Sequence, residues 1–246
     1  MQEPELIALS PEDRFQFDCH PRIACFNHCC RELNQALTPY DVLQLRTYLQ
    51  LGWEAFLQRH AYVFAGPASG LPVVSLVFSS SNGQRCPFVS DDGCSVYAAR
   101  PTSCRLYPVM RALHRSRADG HLTVHYALLK EPHCHGFEQN RTQTVGEWIA
   151  GQGAEPGLAA NDRLLALIAL KNRLRPGPLD QEHQQWAIMA LYDLDRLKAE
   201  AGANRLVGMS APSLAAIPQG NDDAAWLSWG QEWLSHALFG TPSSGR

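Results

Sequence analysis

Four of the chain's eight cysteines, Cys19, Cys25, Cys29 and Cys30, fall within twelve residues, the last two adjacent. The others follow at Cys86, Cys94, Cys104 and Cys134, and no thiol lies beyond. Thiolates are soft ligands suited to zinc and to iron-sulfur clusters. In a reducing compartment, clustered cysteines bind metal or do redox chemistry more often than they form disulfides. A lone free cysteine is commonly a small buried apolar side chain. Four in so short a stretch point instead to ligands, with at least one of the eight expected to be a non-ligand.

The spacings are x5, x3 and x0, then a gap of 55 residues, then x7, x9 and x29. They match neither a ferredoxin run nor the Cys-x2-Cys pair of a zinc ribbon. A helical turn would align Cys25 with Cys29 on one face. Cys29 and Cys30 cannot face the same way in helix or strand, so one is expected to ligate and the other to reach a second site or pack nearby. A metal shared by two groups so far apart in sequence would tie two loops and contribute to stability. Zinc held by four cysteines would be structural, whereas a cluster would give electron transfer or substrate chemistry. The irregular spacing and the excess of thiols over four favour the cluster.

Histidines stand among these cysteines: His20 and His28 in the first group, His133 and His135 beside Cys134. Each is expected to support a ligand or lie at the surface, since outer partners outnumber unusual ligands. Arg100, Arg105, Arg111, Arg115 and Arg117 crowd the same region. Arg115 and Arg117 read as a solvated face. Arg100 and Arg105 flank Cys104, where a buried, net negative thiolate site needs compensating charge. Holding an anionic substrate is the competing role for them. Pro101 and Pro108 stiffen that loop.

Elements must bring the two groups together. Thr38-Pro39-Tyr40-Asp41 reads as a helix start, with Val42, Leu45 and Leu49 on one face and Gly52 at its end. A second short helix holds Trp53, Phe56 and Leu57 and stops before Gly66. Residues 71–78 and 121–128 read as strands, with the second cysteine group in a Gly/Pro/Asp-rich loop between them. Thr144 and Glu147 form a capping box. Helices follow around Leu164–Ile168, closed by Pro176, and from about Asp180 to Ala201. Residues 202–221 read as a connector. The last helix carries Trp226, Trp229 and Trp233 at helical spacing, which is read as buried core rather than as a ligand platform.

Composition narrows the class. Hydrophobic content of 45% and charged content of 18% are globular. A net charge of −3 gives no broad basic surface for nucleic acid or anionic membrane. No apolar run approaches the roughly 20 residues needed to span a bilayer. The acidic start MQEPELIALSPEDRF is unlike a signal peptide, so a cytoplasmic location is expected.

The stretch Cys86-Pro-Phe, Cys94-Ser-Val-Tyr97, Arg100-Pro101-Thr-Ser-Cys104-Arg105-Leu-Tyr107-Pro108 resembles the YkgJ-type cysteine-cluster family, described as zinc- or iron-chelating. The resemblance covers residues 15 to 137. It departs from the family's Cys-x2-Cys-x2-Cys-Cys pattern in the first group, where x5 and x3 replace x2 and x2. It implies metal ligands among the eight cysteines, with Tyr97, Arg100, Arg105 and Tyr107 beside them. The family includes flagellin lysine N-methylase, so it also implies methyl transfer from S-adenosylmethionine, although no Gly-rich nucleotide loop of the Rossmann kind is present.

The expected fold is therefore α+β and mostly helical. A cysteine-rich metal-binding module over 15–137 has a few short strands, and a helical region over 138–246 packs on it. The expected function is a metal-binding protein, an iron-sulfur cluster of four irons and four sulfurs being favoured over zinc, with a redox or protein-modifying role. A zinc-stabilised interaction module and an S-adenosylmethionine-dependent protein lysine methylase are the alternatives. The expected partner is a protein substrate or redox partner, not nucleic acid or membrane.

Overall fold

The computed structural model describes residues 3–116, 121–208, 216–220 and 222–240. Arg117 and residues 209–215 and 221 of the expected connector lie outside these. In chain order the elements begin with strands β1 (Glu5–Leu9), β2 (Arg14–Gln16) and β3 (Ala36–Leu37), then helices α1 (Pro39–Leu49) and α2 (Trp53–His60). Strands β4 (Ala61–Ala65), β5 (Pro72–Leu76), β6 (Val89–Ser90) and β7 (Gly93–Cys94) follow, then the short helix α3 (Thr102–Leu106). After β8 (Val109–Arg115), β9 (Leu122–Lys130) and β10 (Thr142–Thr144) come α4 (Val145–Gly151), α5 (Glu155–Leu174), α6 (Gln181–Leu191), α7 (Leu194–Gly202) and α8 (Asp223–Phe239). The class is α+β.

Two compact units form, and neither is a continuous stretch. The first joins Met1–Leu33 to Phe78–Pro156 and contains every cysteine. The second joins Asn34–Val77 to Gly157–Arg246. This division differs from a boundary near residue 137. Residues 34–77, inside the expected 15–137 module, lie in the second unit because α1 packs on α8 and β5 on α6.

In the first unit β9 pairs antiparallel with β1 and β8, with Ile7 opposite Leu128 and Leu128 opposite Val109. Beside that sheet β2 pairs with β10, Phe15 facing Gln143. The core is aromatic. Phe17, 1% exposed, has its ring 5.1 Å from Phe137 and 5.4 Å from Trp148, both edge-on. Trp148 donates its indole N–H to Leu106 O at 2.8 Å, which satisfies its one polar atom in the core. Trp148 is positioned by α4, whose start is the expected box: Thr144 accepts from Glu147 N, and the Glu147 carboxylate returns to Thr144 N.

In the second unit β5 lies between β3 and β4. The run Ala61–Ala65 is a strand the sequence pattern does not announce, since it follows α2 without a turn residue. Thr38 and Asp41 form a full capping box at α1. That helix ends at Gln50, in the left-handed region at φ 54°; Gly52 instead begins α2. The single helix expected from Asp180 to Ala201 is two, because the Asp193 carboxylate accepts from Arg196 N and starts α7 anew. Trp226, Trp229 and Trp233 are buried, so the tryptophan stripe is core. Gly230 lets α8 cross α6, since a Cβ there would stand 2.6 Å from Ala190 O.

Candidate metal centre

The first cysteine group lies on a string of tight turns that ends in one 3-10 turn, His28–Cys30, not on an α-helix. Backbone bonds run from Ile23 N to His20 O, Phe26 N to Ile23 O, His28 N to Cys25 O and Cys30 N to Asn27 O. Asn27 sits at φ 67°, a left-handed conformation that Asn tolerates and that breaks any helix between Cys25 and Cys29. Helical spacing therefore does not align these two cysteines. Asn27 also ties this loop to the hairpin of the second group by donating from Nδ2 to Ser90 O at 3.1 Å. Cys86 N donates to Cys30 O at 2.8 Å, and Glu32 N to Gln84 O at 2.9 Å, which closes the 55-residue gap.

Cys134 reaches the first group through Gly136. A Cβ on Gly136 would stand 2.4 Å from Phe17 Cε2 and 2.9 Å from Asp18 O, so only glycine permits the approach. The approach lets Asp18 N donate to Gly136 O at 3.0 Å. One residue earlier, His135 N donates to Cys25 Sγ at 3.1 Å. Cys86 and Cys94 lie on the β6–β7 hairpin, in which Cys94 faces Val89. Cys104 lies on α3.

Backbone N–H groups point at several of these sulfurs. Cys86 Sγ accepts from Phe88 and Val89, Cys94 Sγ from Val96, Cys134 Sγ from Gly136, and Cys25 Sγ from His135. A donor aimed at sulfur favours the thiolate, the form that ligates metal. Without a metal, burial opposes it. Burial raises the Cys86, Cys94 and Cys134 thiols above their ordinary value, against the pull of the N–H donors. Cys19 is exposed as a residue, yet its thiol is pushed up to about 12, first by loss of water and then by Cys29, Cys25, Cys134 and Asp18. Cys29 is raised first by its hydrogen bond with Cys30, then by burial, then by the charges of Cys30 and Glu131. Cys19, Cys29, Cys86 and Cys134 thus each feel at least one other sulfur.

The residues placed beside the ligands take different posts. Arg100 lies within electrostatic reach of Cys94 and Cys104. It is held by Tyr97 O at 2.8 Å and Gln152 Oε1 at 2.6 Å and lies over the Tyr97 ring at 3.8 Å. Arg105 donates to the carbonyls of Arg100, Gln152 and Ala98, binding the Tyr97–Arg100 turn to the end of α4. The Tyr107 hydroxyl touches both Glu131 Oε2, at 2.8 Å, and the Cys134 thiol. Burial first, then these two neighbours, hold its proton on. Among the histidines, His135 pairs with Glu138 at 2.9 Å, His133 approaches Glu131 at 3.8 Å, and His20 Nε2 meets Gln139 Oε1 at 3.4 Å.

Sequence reasoning passed over Asp18, Glu131, Gly136 and Gln152. Asp18 and Glu131 are ordinary acids in the sequence, although Asp18 abuts Cys19 and Glu131 stands three residues before Cys134. Gly136 and Gln152 act through the fold alone.

A family model described as "Putative zinc- or iron-chelating domain" (CxxCxxCC) matches residues 18–143, more than half of the chain, and takes in all eight cysteines. The chain belongs to this cysteine-cluster family. No curated protein and no solved structure matches it. Metal chelation by zinc or iron is thus the family's chemistry, and the donor set fits it: soft sulfurs, N–H groups aimed at them, and two loops stitched together. Among the described residues, no three His, Cys, Asp or Glu side chains stand at the spacing of an ion's ligands, and none of the cysteines is in a disulfide. Cys29 and Cys30 hydrogen-bond to each other. No described helix is long and apolar enough to cross a membrane.

Proposed function

We propose that this member of the family is an iron-sulfur protein with a redox role toward a protein partner, working in the reducing cytoplasm. The observation that carries the reading is the set of backbone N–H groups directed at Cys25, Cys86, Cys94 and Cys134. Hydrogen bonds to sulfur are among the features that set the potential of an iron-sulfur centre. Eight thiols in one unit also exceed what a single structural zinc requires. When bound, an iron-sulfur centre supplies one-electron transfer. The chain's own residues then have separate tasks. The four cysteines with N–H groups at their sulfurs would hold the centre, Arg100 offsets negative charge near Cys94 and Cys104, and Tyr107 keeps its proton beside Cys134.

Anaerobic purification followed by elemental analysis and visible absorption tests this. Brown protein with iron and acid-labile sulfide, bleached by dithionite, is expected. Colourless protein carrying zinc would overturn the redox reading and leave a zinc-stabilised interaction module.

A further inference from the structure

We propose that the open edge of β1 is a self-association surface, on which a second copy of this chain adds its own β1 antiparallel about a two-fold axis through Ile7. The inference stands apart from the metal and does not depend on which ion the thiols hold.

Backbone hydrogen bonding delimits the edge. In an antiparallel ladder, successive residues turn their N–H and C=O groups to opposite sides. Leu129 N donates to Pro108 O at 2.9 Å and Ser116 N to His121 O at 2.8 Å, so odd-numbered residues of β9 bond toward β8 and even-numbered ones toward β1. Glu5, Ile7 and Leu9 of β1 lie opposite the even-numbered Lys130, Leu128 and Tyr126. Leu6 and Ala8 therefore turn their backbone groups outward, and β1 is the last strand on that side of the sheet. Neither end extends the free edge. Pro4 has no N–H to give. Ser10 N donates to Asp13 Oδ2 at 2.7 Å, and Ser10 O accepts from Asp13 N at 3.1 Å.

A two-fold axis through Ile7 sets Leu6 against Ala8 of the second copy, and Ala8 against its Leu6. Each of these pairs exchanges two bonds, so every outward N–H of the two strands finds an acceptor. No like charges meet. Glu5 falls opposite Leu9 of the second copy, and the two Glu5 stand at opposite ends of the paired strands.

The side chains favour the same match. Leu6 is the most exposed large apolar side chain among the described residues, at 61%, and Ile7 is 38% exposed although it lies beside the buried Leu128. Pairing sets Leu6 and Ile7 against apolar neighbours. The opposite edge of the sheet is different: β8 contains Arg111 and Arg115, and charged residues on an edge strand discourage such pairing. The β1 strand reads Glu-Leu-Ile-Ala-Leu, with its single charge at one end. The product is a continuous sheet in the order β8-β9-β1-β1-β9-β8. That sheet belongs to the unit that contains every cysteine, so the dimer joins two cysteine modules. Few bonds and few side chains make it a weak dimer that forms at high concentration.

The test is sedimentation velocity of the anaerobically purified full chain over a wide range of concentration, with reductant present so that no disulfide links the copies. A dimer fraction that rises with concentration is expected. Ala8→Pro removes an N–H that the monomer does not use and should weaken association by about tenfold or more, because half of the inter-copy bonds are lost. Leu6→Lys with Ala8→Lys sets like charges opposite one another and should abolish the dimer, whereas Leu6→Lys with Ala8→Glu sets opposite charges in the same places and should restore it. Both double variants keep every backbone donor at exposed positions, and far-UV circular dichroism checks their folding. A parent that is monomeric at every concentration overturns the proposal, as does a dimer indifferent to all the variants. Failure of Ala8→Glu to restore what Ala8→Lys abolishes overturns the pairing about Ile7. A monomer whose Leu6 and Ala8 amides are protected from hydrogen exchange only by an added Val/Thr-rich strand peptide assigns the edge to a foreign strand and overturns self-pairing.

Discussion

Replacing Gly136 by Ala tests the joint that brings Cys134 to the first cysteine loop. The added Cβ would lie 2.4 Å from Phe17 Cε2, 2.9 Å from Phe17 Cδ2 and 2.9 Å from Asp18 O. Carbon atoms in contact sit at about 3.5–4.0 Å, so roughly 1 Å must be absorbed. The Phe17 ring cannot supply it, being 1% exposed and wedged against Phe137 and Trp148. The backbones must separate, and the Asp18 N to Gly136 O bond at 3.0 Å opens. Overpacking costs about 1–3 kcal/mol and a lost hydrogen bond about 1 kcal/mol more, so a destabilisation of about 2–4 kcal/mol is expected. Metal content should fall with it, since Cys134 and the His135 N–H both move. Urea unfolding and metal per chain measure the two effects. Gly151→Ala, where a Cβ would meet nothing within 4 Å, is the matched control and should cost nothing. A Gly136→Ala protein as stable and as metal-loaded as the parent would refute the reasoning.

Two further outcomes follow from the same geometry. The Cys19, Cys29, Cys86, Cys94 and Cys134 thiols all lie above their ordinary value, Cys19 at about 12, so at pH 7 each ligand must give up a proton to metal. Apparent affinity should therefore rise steeply between pH 6 and pH 8, which metal titration against a competing chelator of known proton affinity reads directly; pH-independent affinity would contradict the thiol assignment. Arg105→Ala removes three carbonyl contacts that hold the Tyr97–Arg100 turn to α4, and should cost about 2 kcal/mol in chemical unfolding. An unchanged unfolding midpoint would show that those contacts contribute nothing.

The sequence made some parts of this molecule legible because the signal was local. Thr38 with Asp41, and Thr144 with Glu147, cap their helices through contacts three residues apart, which a sequence displays directly. The tryptophans of α8 disclosed a buried face by their spacing. The cysteines announced metal chemistry by type and crowding alone. What stayed hidden was set by distant partners. Asn27, at φ 67°, replaced an expected helical turn with tight turns, a break that asparagine alone in the sequence does not announce. Arg105 is a cation next to Cys104 in sequence, and only the fold shows its donors directed at carbonyls. Gly136 carries no sign of its role, because the need for glycine comes from Phe17 and Asp18, more than a hundred residues away. The two-unit division was hidden for the same reason: Asn34–Val77 is held to C-terminal helices far away in sequence, α1 packing on α8 and β5 on α6.

X-ray absorption at the metal edge of the anaerobically purified protein tests the central claim most directly. The account predicts iron in a first shell of sulfur at about 2.3 Å, with a second shell of iron neighbours from the cluster. A first shell of nitrogen and oxygen alone would contradict the assignment of the cysteines as ligands.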